Sequence, residues 1–153
     1  MHSVIPLFGR VLLATMFLLS GAGIPVGFYG ISGLIASVGL PVPHLLALGA
    51  MAVDLVGGIM LLLGWKTRWA AAALLIFTAA TLLFHNFWSA PPDQLQDQLI
   101  EFMKNITIMG GFLYVIAFGA GELSLDAKRA RRSNDRAPST DRFASLNQRL
   151  PSR

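Results

Sequence analysis

Apolar and polar positions along the chain alternate in long blocks rather than residue by residue. Four apolar blocks stand out: about Leu7 to Phe28, with no charge after Arg10; Leu45 to Trp65, interrupted only by Asp54; Trp69 to Trp88, formally uncharged and containing His85; and about Leu99 to Gly121, with Glu101 and Lys104 near its start. The hydrocarbon core of a bilayer is roughly 30 Å thick and a helix rises about 1.5 Å per residue, so about 20 apolar residues cross it. All four blocks are long enough. None shows the period of two of a barrel strand, and in lipid the backbone must satisfy its own hydrogen bonds, so the blocks are predicted to be helices. The expected fold is an all-α integral membrane four-helix bundle with spans near 7–28, 45–65, 69–88 and 99–121.

Two segments break this pattern. Gly21 to Pro43 contains Gly21, Gly23, Gly27, Gly30, Gly33 and Gly39 and ends in Pro41-Val42-Pro43. It is too interrupted to span as a regular helix and too apolar to stand free in water, so it is expected to fold against the extracytoplasmic mouth of the bundle. Ser124 to Arg153 is rich in Arg, Ser and Asp with few large apolar residues. Such a composition buries too little to offset ordering, which predicts a disordered basic tail after a membrane domain of residues 1–123.

Composition sharpens this reading. Hydrophobic residues make up 54% of the chain and charged residues 13%, about half the charge of an ordinary soluble domain, which excludes that class. With no cysteine, thiolate catalysis, disulfide exchange and a Cys-ligated metal are excluded. The net charge of +4 resides wholly after residue 121, where eight Lys/Arg face four acids; residues 1–121 carry four of each sign. Lys128, Arg129, Arg131 and Arg132 follow the last span without interleaved aromatics, so they read as a topology signal and lipid contact rather than a nucleic-acid site. Basic residues favour the cytoplasmic side. With both termini cytoplasmic, Arg10, the Lys66/Arg68 turn and the tail share one face, and Trp65, Trp69, Phe87 and Trp88 anchor the spans at the interfaces. Residues 2 to 22 also fit a secretory signal peptide cut near Ser20-Gly21-Ala22, but apolar character continues through Phe28 beyond that point.

Polar groups within the spans carry the chemistry. Asp54 lies ten residues beyond His44, about 15 Å deep, where an aspartate costs roughly 3 kcal/mol and needs a partner or a proton. Helical spacing puts Ala47, Ala50, Gly57 and Gly58 on its face, which points it into the bundle. Thr78, Thr81, His85 and Trp88 form a stripe on the third helix; Glu101, Lys104, Thr107, Gly111 and Tyr114 share a face of the fourth, with Asn105 one residue round. Lys104 can snorkel outward or reach toward Asp54. Gly57-Gly58 and Gly110-Gly111 are read as close-packing sites. His2, His44 and His85 are scattered, so no metal site is expected.

The runs Asp54-Leu-Val-Gly-Gly58, Leu61-Leu-Leu-Gly-Trp-Lys-Thr-Arg68, Leu83-Phe-His-Asn-Phe-Trp88, Phe102-Met-Lys-Asn105, Gly110-Gly111 and Leu123-Ser-Leu-Asp126 resemble the DoxX family of bacterial inner-membrane proteins over about residues 5 to 126. The resemblance implies a four-helix membrane bundle and, through the subunit that names the family, a link to thiosulfate:quinone oxidation. Asp54 stands where the family usually has Glu, and Ile24 near a frequent Lys.

The leading expectation is an accessory subunit of a membrane redox system with a polar intramembrane pocket, lined by Asp54, His85, Asn86, Lys104 and Asn105, for a quinone-like or other small amphipathic ligand. No electron carrier is visible in the chain, so any redox step needs a partner protein, and enzymatic activity is left open. Association with copies of itself is compatible with the same reading. The alternatives are a small proton-linked transporter using the same acid and a scaffold recruiting soluble redox enzymes through the basic tail.

Overall fold

The computed structural model describes residues 4–24, 26–82, 88 and 90–136. These form six α-helices and, among the described residues, no strand: α1 (Val4–Gly21), α2 (Gly27–Ser37), α3 (Pro43–Leu63), α4 (Thr67–Thr81), α5 (Leu95–Phe118) and α6 (Leu125–Arg136). Three of them, α1, α3 and α5, are long and apolar enough to cross a membrane. The remaining expected span, 69–88, is represented by the 15 residues of α4, and most of what would complete it lies outside the described residues. The described residues thus show three helices long enough to span, with the shorter apolar α4 packed against α3 and α5, rather than the four full spans expected.

Small residues make the seams. A methyl group on Gly21 would lie 2.8 Å from the Leu55 amide and 2.9 Å from the Met51 carbonyl, so α1 and α3 meet almost backbone to backbone. Gly57 abuts the Leu74 side chain, Gly58 abuts Leu18 and Gly111 abuts Leu13. Gly110 has open space around it and is not a packing position, contrary to the pairing expected with Gly111. Interior volume is filled by Ala14, Phe17, Leu61, Ala71, Leu74, Phe112 and Val115, with the Phe17 and Phe112 rings 5.2 Å apart. Large apolar side chains such as Leu12, Ile76 and Leu113 instead cover the outside. That distribution suits lipid, which gives no hydrophobic reason to hide them.

Two segments differ from expectation. The glycine-rich stretch is not irregular throughout: its middle forms α2, which packs on α3 and buries Ser32 and Ile35. Gly23, Gly27 and Gly39 take left-handed backbone around it and absorb the turns, so the glycines end the helix rather than dissolve it. Residues 125–136, assigned by composition to a disordered tail, form α6. Ser124 Oγ accepts from the Ala127 amide at 3.1 Å, starting a run of strong helix formers from Ala127 to Arg132. The tail composition buries little, but this helix is held by polar contacts to the α3–α4 turn. Residues 137–153 lie outside the described residues.

These contacts gather the start of α1, the α3–α4 turn, the end of α5 and α6 at one end of the bundle, here called the basic end. Replacing Gly21 by Ala should destabilise the protein by about 1–3 kcal/mol, because the neighbours it would strike are backbone atoms. Gly110→Ala, in open space on an exposed helix face, should be neutral or stabilising by up to about 1 kcal/mol. Thermal midpoints in one detergent compare the two.

A candidate intramembrane binding cleft

Asp54 is set by α3, whose buried face also carries Ala47, Gly57, Gly58 and Leu61. Its side chain is turned inward and only 5% exposed. The close approach at Gly21 brings the preceding residue within reach: Ser20 Oγ donates a hydrogen bond to Asp54 Oδ2 at 2.6 Å. The other oxygen, Oδ1, is buried without a hydrogen-bond partner among the described residues. Thr78 Oγ1 on α4 is in the same state.

The contrast among the helical threonines is informative. Thr15, Thr81 and Thr107 each donate to a carbonyl of the preceding turn, at 2.8, 2.8 and 2.9 Å. That local bond is the ordinary way for a hydroxyl in an apolar setting to be satisfied. Thr78 makes none and stays 2% exposed.

Ser20, Asp54 and Thr78 line one cleft of about 840 Å³, together with Thr81, Glu101, Lys104 and Asn105. Its remaining walls are apolar, from Met16 and Phe17 of α1, Ile31 and Ile35 of α2, Leu46 of α3 and Ile108 of α5. Asn105 is buried at 9% exposure. Lys104 forms an ion pair with Glu101, one turn earlier on α5, instead of reaching for Asp54. The partner of Asp54 is therefore the Ser20 hydroxyl, and of the two options open to Lys104 the reach toward Asp54 is not taken.

Of the residues singled out from the sequence, Asp54, Lys104 and Asn105 come together at the cleft, while His85 and Asn86 lie outside the described residues. Thr107 and Tyr114 do not line it: Tyr114 is 67% exposed, and α5 turns Asn105, Phe112 and Val115 inward instead. Thr107 can turn outward because its hydroxyl is satisfied locally. Ser20 was missed as the acid's partner. The available signal was its position beside Gly21, the small residue at which the two helices touch.

A second polar assembly lies at the basic end. Arg10, read from sequence as a topology signal, is 2% exposed and donates from Nη2 to the Leu123 carbonyl at 2.5 Å. A side chain at Gly64 would collide with its guanidinium, and Gly64 also takes left-handed backbone, so glycine is needed there on both counts. Asp126 of α6 then completes α4: its carboxylate accepts from the Lys66 amide, the Thr67 amide and Thr67 Oγ1, each at 2.8 Å. In return the Asp126 amide donates to the Gly64 carbonyl at 2.9 Å. Burial alone would raise the Asp126 carboxyl, but the hydrogen bonds from Thr67 and Lys66 and the charge of Arg129 outweigh it and hold it below the usual carboxylate range.

Spanning apolar helices around a buried acid and a cleft define an α-helical membrane protein with an internal polar site. The chain belongs to the DoxX family, whose profile matches residues 5–86. It is 32% identical over 126 residues to the inner membrane protein YphA of Escherichia coli K12, covering 82% of this chain and 90% of that one. It is 33% identical over 121 residues to the inner membrane protein YqjF of the same organism, covering 78% and 88%. A Surfeit locus protein 4 homolog of Schizosaccharomyces pombe is 31% identical over 132 residues, which is 80% of this chain but 37% of that longer protein. No solved structure matches the chain.

The Asp126 clasp generates a pH dependence with a definite sign. Because its folded carboxyl is depressed, the stabilisation is fully present above the unfolded value near about 3.9 and is lost as pH falls through the folded value. Asp126→Ala should lower stability by about 1–2 kcal/mol at neutral pH, as loss of a helix cap does. The gap between variant and wild-type thermal midpoints should hold from about pH 8 to pH 5 and close below about pH 4.

Proposed function

We propose that this DoxX protein is an accessory inner-membrane protein whose cleft holds a quinone-like or similarly amphipathic small molecule. The observation that carries the reading is a pair of buried oxygens, Asp54 Oδ1 and Thr78 Oγ1, on the wall of one cleft and without a hydrogen-bond partner among the described residues. A buried polar atom without a partner costs on the order of 1–3 kcal/mol, so a ligand that supplies the missing hydrogen bonds regains that loss. The rest of the cleft is apolar, which suits a molecule with a polar ring and an aliphatic body.

The proposed chemistry follows from the donor set. A quinone carbonyl accepts from the Thr78 hydroxyl, and a hydroquinone hydroxyl donates to Asp54 Oδ1. Reducing a quinone takes two electrons and two protons. In this reading Asp54 relays one proton with each electron, two in all, and a partner protein supplies both electrons. The proposed orientation has both termini cytoplasmic, with Arg10, Lys66, Arg68 and α6 gathered at the cytoplasmic end. The two bacterial relatives, each named as an inner membrane protein, support an inner-membrane location.

Adding a short-chain benzoquinone to the purified protein should raise its thermal midpoint in a concentration-dependent way, as any ligand selective for the folded state does. The shift should be smaller in Asp54→Asn and in Thr78→Val, whereas Thr107→Val, outside the cleft, should respond like wild type. A wild-type protein with no shift at saturating quinone would sink the assignment.

A further inference from the structure

A second concavity lies at the basic end, about 420 Å³ in volume, between the first turn of α4, the end of α5 and α6. Lys66, Arg68 and Trp69 form one wall; Ala127 and Ala130 of α6 form the other. We propose that this groove seats the headgroup of an anionic phospholipid.

Charge is the first argument. Lys66 and Arg68 are both exposed, and among the described residues the Lys66 ammonium holds no acceptor. Arg68 makes a single long hydrogen bond, at 3.3 Å, to the Ala117 carbonyl. The acid in the lining, Asp126, does not cancel them: its oxygens are taken by the Lys66 and Thr67 amides and the Thr67 hydroxyl, and its charge is opposed by Arg10 and Arg129. The groove therefore presents net positive charge with donors free to meet a phosphodiester.

Depth is the second argument, and it selects a lipid over a free anion. Trp69 stands in the groove wall at 77% exposure, and Trp65, just before it, carries Arg129 over its ring at 5.8 Å. Tryptophans flanking a span settle at the headgroup layer. Seven residues on from Trp69, Ile76 extends the same outward face of α4 at 71% exposure, an apolar track along which an acyl chain can lie. The small side chains of Ala127 and Ala130 leave the opposite wall open.

The test uses the full chain in neutral detergent with phosphatidylcholine, titrated with phosphatidylglycerol, reading retained lipid adducts by native mass spectrometry and the thermal midpoint in parallel. Lys66→Asn removes one cation while keeping a residue that tolerates the left-handed backbone at φ 46°. Arg68→Gln removes the other. Each should weaken phosphatidylglycerol retention about fivefold, the worth of one cation beside anionic lipid. Arg136→Gln, outside the groove, should change it less than twofold. A midpoint in phosphatidylcholine alone within a few degrees of wild type shows that a variant is folded; should Arg68→Gln fail this, Lys66→Asn decides. Unchanged retention in the folded variants overturns the proposal. So does equal weakening by Arg136→Gln, which would mean diffuse attraction, and so does inorganic phosphate raising the midpoint as far as the lipid, which would mean a free-anion site.

Discussion

The near-contact of α1 and α3 at Gly21 is the constraint on which the rest of the protein depends. A carboxylate deep in a membrane has no water to turn to, so its partner must come from another helix and must come close. A larger residue at position 21 would push the two backbones apart and carry Ser20 away from Asp54. The packing seam and the polar site are thus one feature, because the residue that permits contact adjoins the one that uses it. The same economy recurs on α3, where Gly57 and Gly58 admit Leu74 and Leu18 and bring α4 and α1 against the face that carries Asp54.

Much of this was legible in the sequence. Apolar length marked four spans, of which three are seen as helices long enough to cross a membrane, and the spacing of Ala47, Ala50, Gly57 and Gly58 around Asp54 turned that acid inward, as the structure has it. What escaped depended on partners remote in sequence. Ser20 was unremarkable until α3 was laid against it, and Arg10 counted only as a cation on the cytoplasmic side until Leu123 and Gly64 enclosed it. Helix α6 escaped because a compositional argument weighs buried area, whereas this helix is held by polar capping that composition does not measure. The polar stripe on α5 is only partly turned to the cleft: Glu101 and Lys104 line it with Asn105, whereas Thr107, bonded to its own helix, and the exposed Tyr114 do not.

The two polar assemblies differ in where their unpaired atoms lie. At the basic end the donors and acceptors around Asp126 are paired and form a joint, while Arg10 Nε and Nη1 are buried without an acceptor among the described residues. Asp54 Oδ1 and Thr78 Oγ1 are likewise unpaired, but their residues line a cavity, which is the feature the proposed ligand would use.

The Asp126 clasp also bears on the order in which the chain matures. The amides at the start of α4 receive their acceptor from about sixty positions downstream, on the far side of α5. Synthesis runs from the N-terminus, so the corner between the second and third apolar segments is made before its acceptor exists and can be sealed only once the last segment has also been made.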